Sequence, residues 1–234
     1  MKCKITNDDL KPFMSFGKMP SANGFLEEKD FKNEFFYEME VGFSKKVSLL
    51  QLNEFSNPEA VHNERYPFYT SSSKYMTEHF KNFAKWLSDR YLSSGSKLVE
   101  VGSNDGTFLE NFKDKNIDAL GYEPSSTIAN LANKRGIKTF DKFFNTSNLD
   151  LIKSFHNDVD IISSANVIAH IPDLTNVIKC VDKLLSNNGL LVFEEPYMGS
   201  MFSKVSYDQI YDEHIFMFSV SSIKKVFSLF DFEL

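Results

Sequence analysis

Between Val101 and Phe108 the chain leaves an apolar run through Gly102-Ser103-Asn104-Asp105-Gly106. Two glycines there add no side chain, and Asn104 and Asp105 tolerate unusual backbone angles, so the main chain can pass close to a ligand. Glu123 follows 21 residues after Gly102, in LGYEPS. A carboxylate at that spacing can accept hydrogen bonds from both hydroxyls of a ribose. A glycine-rich turn alone reads equally well as a tight connection; the turn with the spaced acid points to a nucleoside-type ligand. The turn reads G-S-N-D-G, whereas the dinucleotide fingerprint is G-x-G-x-x-G. Asp105 would repel a pyrophosphate but suits the cationic amino group of a methionyl tail, which favours S-adenosylmethionine over NAD. The donor-side candidates are Glu100, Gly102, Ser103, Asn104, Asp105, Gly106, Glu123, Pro124, Ser125 and Asn166.

A second group of residues could move a proton. Tyr211-Asp212-Glu213-His214 puts a phenol, two carboxylates and an imidazole together, and in a helical turn positions 211 and 214 share a face. His170, in NVIAHI, sits just past the carboxyl end of an expected strand, and Glu195 and Tyr197, in FEEPY, sit at the next strand end. Each has a plainer reading: His214 beside acids as a solvated surface histidine, His170 as satisfying a carbonyl, Tyr197 as a packing aromatic. His62, His79 and His156 lie among polar residues and receive no role.

The surrounding pattern is one that positions such residues. Residues 1 to about 60 hold short apolar patches between turn residues, which predicts a small β-rich arm. Tyr75, Phe80, Phe83, Leu87 and Tyr91 recur at helical spacing, with Ser71 to Ser73 as N-cap candidates and SSGS at 93–96 as the stop. Strands are then expected at 97–102, 118–123, 137–140, 159–165, 190–195 and 230–234. Helices are expected at 106–115, 125–135, 173–187 and 219–229. Apolar strands alternating with helices predict an α/β fold: a Rossmann-like parallel sheet covered on both faces, with ligands beyond the strands' carboxyl ends. The closing FSLFDFEL reads as a penultimate strand. That leaves the edge open, covered by a partner protein or second copy, or belonging to a shortened chain.

Composition narrows the class. The 234 residues carry a formal net charge of −6 and no run of five basic residues, which argues against general nucleic-acid affinity. Twenty-four Phe are dispersed and read as packing contacts. Two distant cysteines, Cys3 and Cys180, predict no disulfide framework and a cytoplasmic setting. No apolar run nears the roughly 20 residues that span a bilayer.

In order, VEVGSNDGTFL, GYEPSSTIANLANKRGIKT, ANVIAHIPDL, GLLVFEEPYM and DQIYDEH resemble the S-adenosylmethionine-dependent sugar C-methyltransferases of deoxysugar biosynthesis. PFMSFGKMPSANGFL, VSLLQL and YPFYTSSSKYM are similar to the same family, so the resemblance covers essentially the whole chain. It implies methyl transfer to carbon 3 of a nucleotide-linked 4-keto-deoxysugar. It also implies His214 as base, supported by Glu213, Tyr211 and His170, and Tyr69 lining a sugar pocket with Ser72, Glu195 and Tyr197.

Three departures matter. The family's arm carries two C-x-x-C pairs for zinc; here Cys3 is kept, but Thr6, Ser44 and Val47 stand at the other positions. One thiolate cannot hold tetrahedral zinc, so no zinc is expected. The family often reads Y-H-E-H where Asp212 follows Tyr211 here. Family proteins also continue into a further domain that helps embrace the nucleotide sugar and is missing here, which leaves sugar-nucleotide specificity open. The expected division is an arm over 1–60 and a methyltransferase domain over 61–234. Two other readings stay open: an O-methyltransferase acting on another sugar or phosphorylated small molecule of surface-polysaccharide synthesis, and a non-catalytic donor-binding partner subunit.

Overall fold

A computed structural model of the chain describes residues 1–23, 25–151 and 158–234; His156 lies outside them. The chain divides into two compact units. One holds Met1–Val61, Asn166–Ile178 and Glu194–Leu234; the other holds His62–Ala165 and Lys179–Phe193.

The second unit contains the sheet expected from the strand–helix alternation. β4 (Lys97–Val101), β5 (Asp118–Tyr122), β6 (Thr139–Phe140), β7 (Val159–Ala165) and β8 (Leu185–Glu194) lie in the order β6-β5-β4-β7-β8. The β4–β5, β4–β7 and β5–β6 pairings are parallel. Strand order therefore reverses between β4 and β7, the place where such sheets receive ligands. Leu98, Val99, Ile162 and Val159 are each 0% exposed, as strands covered on both faces require.

Helix α2 (Lys74–Tyr91) starts where Ser73 accepts a hydrogen bond from the Met76 N–H, the cap the serine run suggested. Its buried face is Phe80, Ala84 and Leu87, which join Phe108, Phe112 and Ile137 in the core. The tyrosines at the ends of the expected stripe are outside it: Tyr75 is 91% exposed and Tyr91 47%. α3 (Ser126–Lys134) follows β5, and α4 (Leu174–Leu184) precedes β8.

In the first unit, β1 (Pro12–Pro20), β2 (Phe36–Ser44), β3 (Leu49–Leu52) and β9 (Phe216–Met217) form an antiparallel sheet. Tyr37, Met39, Val41, Leu50 and Leu52 pack there with Met201, Ile210 and Met217. The short helix α1 (Pro58–Val61) follows β3, and α5 (Met198–Lys204) precedes β9. α6 (Val220–Phe227) begins in a reciprocal Ser219–Ser222 capping box.

Several expected elements differ. Residues 230–234 are not a strand: a 3-10 turn over Ser228–Phe230 runs into Asp231 at φ 63°, and Leu234 is 73% exposed. The alternation of Phe230, Phe232 and Leu234 imitates a strand, but the left-handed residue breaks the extension. The stretch 106–115 forms a 3-10 helix at Leu109–Lys115. The helix expected to reach 187 ends at Leu184, and β8 takes over from Leu185. No helix among the described residues is long and apolar enough to cross a membrane.

Candidate active site

Register explains the glycine turn. Val101 pairs with Tyr122, so β4 and β5 end level, and the Gly102 and Ser103 N–H groups both donate to the Tyr122 carbonyl, at 2.8 and 2.9 Å. The chain then turns through left-handed backbone at Gly102 (φ 70°), Asn104 (φ 49°) and Gly106 (φ 78°). A Cβ on Gly106 would meet Ile137 at 2.9 Å, so the glycine answers both backbone angle and space.

Glu123 is 5% exposed and holds the turn from β5. Its Oε2 accepts from the Asn104 N–H at 3.1 Å and its Oε1 from the Ser125 N–H at 2.8 Å. Burial pushes its carboxyl up to about 7, against the pull of those two hydrogen bonds. Each oxygen keeps a second lone pair for a ligand hydroxyl. Glu100 is 4% exposed; burial, and then the nearby Glu123 and Asp105 charges, raise its carboxyl well above the usual range. Glu100 Oε2 and Ser103 Oγ are both buried without a hydrogen-bond partner among the described residues. Unpartnered buried polar atoms cost free energy, and their placement on β4 and in the turn that follows it fits a ligand that brings positive charge and donors.

Asp105 is placed differently from the expectation. It is 0% exposed; its Oδ2 accepts from the Ser71 N–H at 3.0 Å, and its Oδ1 accepts from Thr107 Oγ1 at 2.6 Å. Arg135 Nη1 lies 3.6 Å from Oδ1 and donates to the Asp105 carbonyl at 2.9 Å. The carboxylate is engaged within the protein, where it fastens the segment carrying Tyr69. Asn104 does the same, accepting from the Thr70 N–H and donating to the Phe68 carbonyl, both at 2.9 Å. Ser72 is exposed and donates its hydroxyl to the Tyr69 carbonyl at 2.7 Å. Ser125 Oγ donates to the Asn63 carbonyl at 3.0 Å, and Pro124 is half-buried between Glu123 and Ser125.

The proton-moving candidates gather in the first unit. His170 Nδ1 lies 3.3 Å from Glu213 Oε2, while His170 Nε2 is buried and has no hydrogen-bond partner among the described residues. The His170 and His214 rings meet edge to face at 5.0 Å, and Tyr211 lies 4.4 Å from His214 between centroids. His214 is 7% exposed, not a solvated surface residue. Its Nδ1 lies 2.7 Å from the Gln209 carbonyl, which can only accept; Nδ1 therefore carries the proton and Nε2 the lone pair. Burial lowers its pKa to about 4, with the His170 charge adding to the effect and the Gln209 bond opposing it. Burial raises the Tyr211 phenol, with help from the Glu213 and Asp212 charges.

Glu195 anchors the turn bearing His170: its Oε1 accepts from the Val167 and Ile168 N–H groups at 3.0 and 2.6 Å. Burial pushes its carboxyl up to about 7, and its Oε2 is buried without a partner among the described residues. Asn166 is exposed at φ 55°, its N–H on the Glu194 carbonyl at 2.8 Å, and it belongs to this unit rather than to that of the glycine turn. Tyr197 is 51% exposed and lines a cavity of about 240 Å³ with Met198, Met201, Lys204, Gln209 and His214.

The sequence alone assigned no role to four residues that hold this cluster. Asn23 Nδ2 donates to Glu213 Oε1, and the Ala22 N–H and Ser56 Oγ donate to Asp212 Oδ2 at 3.1 and 3.0 Å. Asn23 stands before a glycine in SANGF and reads as a turn residue; nothing local points to partners 190 residues away. Gln209, whose carbonyl sets the His214 tautomer, acts through its backbone and leaves no side-chain signal.

Comparison with known proteins agrees with this architecture. The chain is 28% identical to the C-methyltransferase NovU of Streptomyces niveus over 229 residues, which is 97% of this chain and 54% of that protein. It spans about half the length of the curated relatives it matches. A SAM-dependent methyltransferase of Thermotoga maritima shares the fold, with a TM-score of 0.50, 21% identity, and coverage of 68% of this chain and 71% of that one. The plantazolicin methyltransferase BamL, solved with SAH, does so with a TM-score of 0.55, 12% identity, and coverage of 68% and 64%. Residues 3–62 match the family model described as "Putative zinc binding domain". Residues 74–234, holding the parallel sheet, the glycine turn and the imidazole–carboxylate cluster, match the model of the methyltransferase domain, and the chain belongs to that family.

Proposed function

We propose that the chain is an S-adenosylmethionine-dependent methyltransferase whose acceptor is a nucleotide-linked sugar, methylated at a carbon beside a ketone. The observation that carries the donor assignment is the pair of buried carboxyls, Glu100 and Glu123, beside the bare backbone of the glycine turn, with Glu100 Oε2 and Ser103 Oγ unpartnered among the described residues. A sulfonium nucleoside suits it, because its charge offsets the carboxylates and its ribose hydroxyls can donate to Glu123. When bound, S-adenosylmethionine supplies an electrophilic methyl group. The resemblance to a C-methyltransferase supports a carbon acceptor.

Carbon becomes nucleophilic only after losing a proton next to the ketone. His214 is suited to take that proton on Nε2, since burial keeps the ring neutral and the Gln209 carbonyl holds the proton at Nδ1. The carbon so activated would accept the methyl group that the bound donor supplies, with the bonding pair staying on the donor's sulfur. Tyr211, whose ring lies against His214, is the candidate donor to the enolate oxygen. The cavity beside Tyr197 and His214 is a candidate acceptor pocket, with Lys204 available for an anionic group. A second reading gives the base role to His170, because the Glu213 carboxylate 3.3 Å from its Nδ1 would stabilise the imidazolium formed there.

Calorimetry with S-adenosylhomocysteine tests the donor site, and heatless mixing with folded protein would sink it. Incubating a nucleotide-linked 4-keto-deoxysugar with the enzyme in deuterated water tests the chemistry. Deuterium entering beside the ketone without donor supports C-methylation. Methyl transfer without such exchange moves the acceptor to oxygen, and donor binding without any transfer leaves a binding subunit.

A further inference from the structure

The arm matches a zinc-binding model, yet its own residues describe a different way of closing the same turns. Cys3-Lys4-Ile5-Thr6 is followed by Asn7 in left-handed backbone at φ 60°, and Ser44-Lys45-Lys46-Val47 by Ser48 at φ 53°. These are two four-residue turns of one design, and the first and fourth residues of each are where paired thiolates would grip a tetrahedral metal. The turns meet: the Cys3 thiol is in hydrogen-bonding contact with the Thr6 and Ser44 side chains, and Lys46 Nζ lies 3.3 Å from Asp8 Oδ2 beside the first turn.

The donor set does not fit zinc. Its four positions offer one thiol, two neutral hydroxyls and an isopropyl group, whereas structural zinc takes four thiolate or imidazole ligands. Among the described residues, no group of three close His, Cys, Asp or Glu side chains includes Cys3. Cys3, Ser44 and Val47 are 2%, 1% and 1% exposed, so the space is filled by protein.

The cross-link that a metal would provide comes from a buried amide. Gln51, on β3 and 0% exposed, donates from Nε2 to the Lys2 carbonyl at 3.0 Å and accepts the Lys4 N–H on Oε1 at 3.1 Å. It thereby ties both sides of Cys3 to the sheet. Lys4 Nζ adds a bond to the Asn53 carbonyl at 2.9 Å. Burial pushes the Cys3 thiol up, but its contacts with Thr6, Ile5 and Ser44 outweigh this and lower it.

We propose that this arm is a metal-free descendant of a zinc-knuckle pair, in which the Gln51 amide and the Cys3–Thr6–Ser44 contact, packed on Val47, hold the turns that thiolates and zinc would otherwise hold. The full chain purified without chelator should carry far less than one zinc per molecule, and its melting temperature should not move when a strong chelator is added. A full equivalent of zinc, or a chelator-induced fall in melting temperature, overturns the proposal. Gln51→Ala should lower the melting temperature by several degrees with chelator still without effect; an unchanged melting temperature removes the amide clamp. The matched geometry has its own test: Thr6→Cys/Ser44→Cys/Val47→Cys should bind one cobalt(II) with the absorption of a tetrahedral thiolate site. A folded triple variant that takes up no cobalt would show that the turns are not matched ligand turns, and so overturns the descent.

Discussion

His170 Nδ1 lies 3.3 Å from Glu213 Oε2, and the other oxygen of that carboxylate accepts from Asn23. Glu213 therefore links a loop of the N-terminal arm to an imidazole whose remaining nitrogen is buried and unpartnered among the described residues. Neutralising Glu213 should leave the donor site intact and remove the charge that would stabilise a protonated ring. Glu213→Gln is expected to lower turnover by roughly tenfold to a hundredfold, the loss of one charged hydrogen bond, with unchanged S-adenosylhomocysteine affinity by calorimetry.

The Asn23 side chain donates to Glu213, and its effect on turnover is expected to run through that carboxylate. Asn23→Ala should reduce kcat with little change in KM for the donor, and Asn23→Gln should restore part of the loss. Equal stability of the two variants with equal activity would show the contact to be idle.

The His214 ring, lowered to about 4 by burial, stays neutral well below the ordinary histidine value. As base it should support a kcat profile whose acid limb falls near 4. A limb near the ordinary value of about 6.5 would take the role away from His214. The same shift bears on stability. The folded pKa lies below the unfolded one, so the unfolded state binds the extra proton, and the His214 contribution, complete above about 6.5, is lost as the pH falls to about 4. His214→Gln should flatten that loss by about 3 kcal/mol at most in denaturant titrations across the window.

Donor binding should release protons. Glu123 is raised to about 7 by burial, and a cation beside it favours the ionised form. Affinity for S-adenosylmethionine is thus expected to tighten as the pH rises through about 7, with a binding heat that depends on the buffer's ionisation enthalpy. Glu123→Ala should weaken binding by tenfold or more, about 1.5–3 kcal/mol for a charged hydrogen bond, and remove the proton release.

Asp105→Asn tests the revised placement of that residue. Asp105 fastens the Ser71 N–H and Thr107 and faces Arg135, so the substitution should increase hydrogen exchange at Thr70 and Ser71. A fall in donor affinity without any change there would return Asp105 to direct ligand contact.

What the sequence determined is what short segments decide for themselves. Alternating apolar strands and helices dictated a parallel sheet, Ser73 capped its helix, and Gly102 to Gly106 with Glu123 were placed by a strand, a turn and the next strand in succession. Period alone misled at 230–234, where one left-handed residue outweighs the alternation. Only the tertiary structure brought Asn23 to Glu213, 190 residues apart, engaged Asp105 internally, and set His214 and Glu123 on opposite sides of their ordinary pKa values. The reason is physical: side-chain charge in a fold depends on burial and on partners from distant segments, and neither is written in the residues on either side.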